Sequence, residues 1–164
     1  MEIEDLIQRF KDTREHQVKA IFSTLFIAEN KLQTIFDKED KDITLKQFML
    51  LTMVRRSGDE LTFTQSGRLL GCSRQNIKKL AASLEEKGFV EIKQSQKDIR
   101  AAAIVPTDKL TLYFDKISAL HKQKLNILFE EYTDSEIQML FDLLMKLYKG
   151  IECLENSNET INRK

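Results

Sequence analysis

Residues 64–100 read TQSGRLLGCSRQNIKKLAASLEEKGFVEIKQSQKDIR, and this stretch decides the fold. Thr64 is expected to cap a short helix over residues 65–70, because its hydroxyl oxygen can accept a first-turn amide. Gly71 and Cys72 make a turn. Ser73 caps a second helix over residues 74–87, and Gly88 stops it in the left-handed position that follows many helices. Phe89, Val90 and Ile92 form an apolar strand. Seven of the eight residues at 93–100 are polar or charged, as a hairpin tip requires. Residues 101–105 return as a second strand, closed by Pro106. The order is a helix-turn-helix followed by a wing.

Outward from this centre the chain reads as striped helix. Residues 3–12 hold Ile3, Leu6, Ile7 and Phe10, a short amphipathic turn or helix. A longer helix is expected over residues 14–36, with Val18, Ile21, Phe22, Leu25, Phe26, Leu32, Ile35 and Phe36 at three-and-four spacing. The run DKEDKD at 37–42 has no apolar residue and reads as a solvated connection. Thr44 caps a helix over residues 45–56, ended at Ser57-Gly58-Asp59. Thr107 is expected to cap a long helix to about residue 132. Thr133 and Glu136 fit a capping box for the last helix. The polar end after Glu155 reads as disordered.

The apolar stripes of the end helices exceed what the small central core can cover. A second copy of the chain is the economical way to bury them, against the alternative of an intramolecular bundle.

Lys plus Arg equals Asp plus Glu at 26 each, so the net charge excludes nothing. The distribution is informative: residues 55–100 carry ten basic against six acidic side chains, and each flank carries eight against ten. A basic middle focuses anion attraction there. Two distant Cys and two His make no metal spacing, so neither metal nor other cofactor is expected. No run reaches the roughly 18 apolar residues of a membrane span. The N-terminus is acidic and unlike a signal peptide, so a cytoplasmic location is expected. No carboxylate pair, Cys/His dyad or glycine loop points to catalysis.

On a helical wheel of about 100° per residue, Ile77, Leu80, Ala81 and Leu84 face a core. Gln75, Lys78, Lys79, Ala82 and Ser83 lie opposite. Arg74, Gln75 and Asn76 occupy the first turn, the part of such a helix that enters the major groove of double-stranded DNA. Arg can pair bidentately with guanine and Gln or Asn with adenine. Lys78 and Lys79 suit phosphates. An amphipathic helix with a solvated Lys face has the same pattern; the preceding helix, the turn and the wing favour DNA. On the wing, Lys93, Lys97 and Arg100 are basic, and Asp98 can orient the Arg100 guanidinium toward a narrow minor groove.

Thr64, Gln65, Leu70, Gly71, Ser73 to Ile77, Leu84, Glu85, Gly88 to Val90, Asp98 and Arg100 together resemble the MarR family of bacterial transcriptional regulators. Asp-x-Arg after Gly-Phe-Val is the most specific part. The resemblance implies a homodimer with intertwined terminal helices on a pseudo-palindromic operator, and Arg100 in the minor groove. It implies a repressor, in many members responsive to a small phenolic or lipophilic ligand. Phe22, Phe26, Tyr113 and His121 are the residues expected to line such a cavity, although aromatic stripes on helices more often form core. Other members respond to oxidation, for which Cys72 is the alternative candidate; as a small turn residue it has a simpler role. Cys153 is expected to be packed on the last helix. Ser66 stands where the family pattern is apolar, and Leu69 is expected to take that packing role. Pro106 is expected to bend the strand exit. A winged-helix protein-interaction module without DNA is the other alternative.

The expected fold class is mainly α: a winged helix-turn-helix with a short β-hairpin wing, flanked by long N- and C-terminal dimerisation helices. The expected division is 1–42 N-terminal helices, 43–106 winged DNA-binding domain, 107–156 C-terminal helices and 157–164 disordered tail.

Overall fold

The computed structural model describes residues 9–58 and 60–161. The helix expected within residues 3–12 lies for the most part outside them. The elements are α1 (Arg14–Glu39), α2 (Leu45–Ser57), β1 (Leu61–Thr62), α3 (Phe63–Leu70), α4 (Arg74–Glu86), β2 (Val90–Gln94), β3 (Ala102–Pro106), α5 (Asp108–Leu128) and α6 (Asp134–Ile161). The chain is mainly helical with a winged helix-turn-helix at its centre, as the sequence predicts. It divides into two compact units, Met1–Phe114 and Asp115–Lys164.

In the first unit a three-stranded antiparallel sheet runs in the order β1-β3-β2. Val90 faces Pro106 and Gln94 faces Ala102 across the hairpin. Pro106 therefore ends β3 within the ladder. Strand β1 was not expected: at two residues it is too short for an alternation to show. It pairs Leu61 with Ile104 and Thr62 with Ala103. The core beneath the sheet consists of Leu50, Leu51, Val54, Ile77, Ala81, Leu84 and Ile104, all with no exposed surface. Each large member removed from water contributes about 1.5–3 kcal/mol.

Aromatic rings close the unit where α1 ends. Phe48 lies 5.1 Å from Phe36 and 5.5 Å from Phe114, and the Arg55 guanidinium sits 4.7 Å over the Phe114 ring. The acidic run at 37–42 is not merely solvated. Helix α1 continues through it to Glu39, and Asp37 Oδ1 accepts the Leu45 amide at 2.7 Å. Asp40 accepts the amides of Asp42 and Ile43 through Oδ1, and the Tyr113 hydroxyl through Oδ2 at 2.7 Å. Short acidic side chains here serve as loop acceptors for orphan amides.

In the second unit the capping box forms as expected. The Thr133 amide donates to Glu136 Oε2 at 2.9 Å, and the Glu136 amide to Thr133 Oγ1 at 3.4 Å. The Thr133 amide, together with the Thr133 hydroxyl that donates to the same Oε2 at 2.8 Å, holds the Glu136 carboxyl below the usual range. Helix α6 runs to Ile161, so the tail expected to be disordered from 157 is helical to that residue; 162–164 lie outside the described residues. Cys153, expected to be packed, is exposed.

Candidate nucleic-acid interface

The turn between α3 and α4 depends on glycines. Gly71 ends α3 at φ 63°, in the left-handed region. Gly67 is needed for a different reason: a Cβ there would stand 2.7 Å from the Cys72 carbonyl oxygen. The Cys72 amide donates to the Gly67 carbonyl at 2.9 Å, so the chain doubles back tightly onto α3. Ser73 then caps α4 through its hydroxyl, which accepts the Asn76 amide at 3.2 Å.

The cap of α3 differs from expectation. Thr62, not Thr64, accepts the Gln65 amide, and Gln65 Oε1 accepts the Thr62 amide at 2.9 Å in a full capping box. Thr64 is exposed on the first turn, and the Gln65 carboxamide oxygen is committed to the cap. The packing role assigned to Leu69 also falls elsewhere. Ser66 is fully buried with its hydroxyl unpartnered, whereas Leu69 is 58% exposed.

Helix α4 is held by Ile77, Ala81 and Leu84. Its far end is tied down by polar groups. Gln47 Nε2 donates to Ser83 Oγ at 3.0 Å, and Lys87 Nζ donates to Gln47 Oε1 at 3.2 Å and to the Asp42 carbonyl. Ser83 therefore faces α2 and does not belong to the outward face. The Ile92 amide on the edge strand donates to Glu85 Oε1 at 2.6 Å, which covers part of that edge. Thr107, expected as a helix cap, donates its hydroxyl to the Gly88 carbonyl at 2.7 Å. Arg74, Gln75, Asn76, Lys78 and Lys79 remain exposed along one side of α4.

The tip of the wing is closed around Asp98 and Ser95. Asp98 Oδ1 accepts the Arg100 amide at 3.0 Å and its Nε at 3.4 Å, while the Arg100 side chain is 89% exposed. Lys93 pairs with Glu91 on the same strand face. Lys97 is exposed, and its amide donates to Ser95 Oγ at 3.2 Å. Two residues that sequence reading passed over organise this loop: Glu60, 35 residues away from its partner, and the buried Ser95.

Residues 41–101 match the model of the MarR family. The match spans α2 to the wing tip and leaves the end helices outside it. Among solved structures it is similar to a MarR protein from Peptoclostridium difficile, with 26% identity and a TM-score of 0.69 over 87% of this chain and 91% of that one. A MarR/EmrR family transcriptional regulator from Acinetobacter sp. ADP1 has 20% identity and a TM-score of 0.72, over 82% and 96% of the two chains. The transcriptional regulator BldR from Sulfolobus solfataricus has 15% identity and a TM-score of 0.71, over 85% and 97%. These last two share the fold. No curated protein sequence matches the chain.

Within the winged module, α4 and the hairpin from β2 to the wing tip carry most of the expected interface residues. Of the residues expected to line a ligand cavity, Phe22, Phe26 and Tyr113 lie in the first unit and His121 in the second. Phe22 and Phe26 form an exposed T-shaped pair, ring centroids 5.0 Å apart, on α1. The Tyr113 hydroxyl is bound to Asp40, which lies fourteen residues beyond Phe26 and so about 21 Å along a helical path. His121 is half-buried in the second unit. Cys72 donates weakly to the Leu70 carbonyl at 3.5 Å. Among the described residues, no cluster of three or more His, Cys, Asp or Glu could hold a metal, and no helix is long and apolar enough to cross a membrane.

Proposed function

We propose that this protein is a non-enzymatic, sequence-specific regulator of transcription that binds double-stranded DNA as a homodimer and acts as a repressor in the cytoplasm. The observation that carries the reading is the set of exposed donors on a pinned helix. Arg74, Gln75 and Asn76 occupy the first turn, with Lys78 and Lys79 beside them. A helix held at both ends loses little freedom on docking, which favours base recognition over loose charge attraction. The wing adds Arg100 as a guanidinium braced by Asp98.

The dimer is supported by exposed apolar surface. Helix α1 has no buried residue, and Val18, Ile21, Phe22 and Phe26 are all exposed in the single chain. Helix α6 likewise exposes Phe141, Leu143, Leu144, Tyr148 and Ile151. Surface of this kind on a globular protein calls for a partner. Two winged modules related by a two-fold axis would read a pseudo-palindrome. The reading includes release by a small aromatic or lipophilic effector, for which the exposed Phe22–Phe26 pair is the first candidate anchor.

The experiment is selection of bound duplexes from a random pool, followed by footprinting and light scattering. Two equivalent half-sites about one helical turn apart, bound by a particle of two chains, support the proposal. A monomer in solution, or selection without enrichment of any sequence, contradicts it.

A further inference from the structure

The wing tip is held from behind by a carboxylate outside the hairpin. Glu60 stands immediately before β1, the strand paired with β3. Its Oε1 and Oε2 accept the Gln96 amide at 3.1 and 3.0 Å. Oε1 also accepts the Lys97 amide at 3.3 Å and the Ser95 hydroxyl. Ser95 is 2% exposed, and its Oγ in turn accepts the amides of Lys97 at 3.2 Å and Asp98 at 3.1 Å. The loop is closed by the Ala101 amide on the Asp98 carbonyl at 2.8 Å. Three successive amides, at 96, 97 and 98, thus point inward at three side-chain oxygens, two of Glu60 and one of Ser95. A polar loop without such acceptors would sample many backbone states, each with its own direction for Arg100.

We infer that Glu60, working with Ser95, is a positioning residue for the wing's contact with DNA, holding the tip in the backbone conformation that projects Arg100. The inference rests on the DNA-binding reading above. Glu60 touches no nucleic acid in it and acts through Arg100.

Charge alone gives the opposite expectation. Removing a negative side chain near a polyanion should tighten binding. Glu60→Gln keeps the shape but offers one acceptor oxygen and an NH2 group to a nest of donors, so binding through the clamp should weaken.

The test is a double-mutant cycle on the full-length chain, using a duplex selected by the wild-type protein from a random pool. Glu60→Gln should weaken binding about tenfold or more, as loss of charge-assisted hydrogen bonds does. In an Arg100→Ala background the same change should cost about twofold or less, because the group it positions is gone. Ser95→Ala, which removes the acceptor for two amides, should act in the same direction. Hydrogen exchange at the Gln96 and Lys97 amides should quicken in Glu60→Gln while exchange in α4 is unchanged, which separates loosening of the tip from general destabilisation. Equal or tighter binding by Glu60→Gln, an equal loss in the Arg100→Ala background, or unchanged exchange at 96 and 97 would each overturn the inference while leaving DNA binding intact. If the wild-type protein selects no duplex, the DNA-binding reading fails and the inference falls with it.

Discussion

Asp98 and Arg100 are joined twice: one carboxylate oxygen accepts the Arg100 amide at 3.0 Å and the Arg100 Nε at 3.4 Å. The second contact is long and exposed, so it adds little to stability. Its effect is on direction. The backbone bond makes the tight local turn, and the side-chain bond leaves the terminal guanidinium nitrogens available beyond the tip. Arg100→Ala should lose at least about tenfold in DNA affinity, and Asp98→Asn a smaller factor, with thermal midpoints near that of the unmodified protein. Fluorescence anisotropy and thermal melts measure the two effects. An Arg100→Ala protein that binds normally would remove the wing from the interface.

Lys78, Lys79 and Gln75 lie along the same exposed side of α4 but should fail differently when replaced. Each Lys→Ala change that loses a phosphate contact should lower the slope of log K against log salt by about 0.9. Affinity should fall for every sequence alike. Gln75→Ala should leave the slope alone and relax preference at one or two positions of the selected site. Repeating the duplex selection with each variant separates these outcomes; a changed consensus with Lys78→Ala would reverse the assigned roles.

Ser66 is fully buried, and its hydroxyl has no partner. A buried hydroxyl without a hydrogen bond carries a desolvation cost that alanine does not. Ser66→Ala should therefore stabilise the protein by about 1 kcal/mol, a rise of roughly 2–4 °C in Tm for a chain of this size. DNA affinity should not change. A lower Tm would mean that the hydroxyl has a partner in solution, a bound water being the simplest.

Tyr113 donates its hydroxyl to Asp40 at 2.7 Å. Burial, and then the bond to this carboxylate, raises the phenol well above its ordinary value near 10. The folded state holds the proton more tightly than the unfolded state. The contribution to stability is therefore complete below pH about 10 and is lost as pH rises from there through the folded value. Denaturant melts between pH 8 and 11 should show this alkaline limb, and Tyr113→Phe should flatten it. An unchanged limb in Tyr113→Phe would assign the loss to other groups.

The features visible in sequence were those whose partners are near in the chain. Ser73 caps the amide three residues on, Gly88 follows its helix, and Thr133 and Glu136 close a box within one turn. Thr62 was missed as a cap because Thr64 lies two residues away. The deciding sign was Gln65 at the third position after Thr62, the reciprocal half of a capping box. Ser83 was misplaced by a helical wheel, which sorts side chains by angle but cannot know that Gln47 approaches from α2. Leu69 was preferred to Ser66 on polarity, yet the tight turn at Gly67 and Cys72 puts the smaller residue inside. Glu60 had no local signal at all. Its partners are three residues of a loop some 35 positions later, and only the pairing of β1 with β3 brings them together.

The most direct test of the central claim is equilibrium binding of the wild-type chain to its selected duplex as salt is raised. Six basic side chains, Arg74, Lys78, Lys79, Lys93, Lys97 and Arg100, lie on the two elements assigned to DNA. Two modules per duplex should then give a log–log slope of several, and affinity should fall by about a hundredfold or more between 50 and 200 mM salt. Unlabelled mixed-sequence DNA should compete poorly. No binding at 50 mM salt, or a slope near zero, would contradict the account.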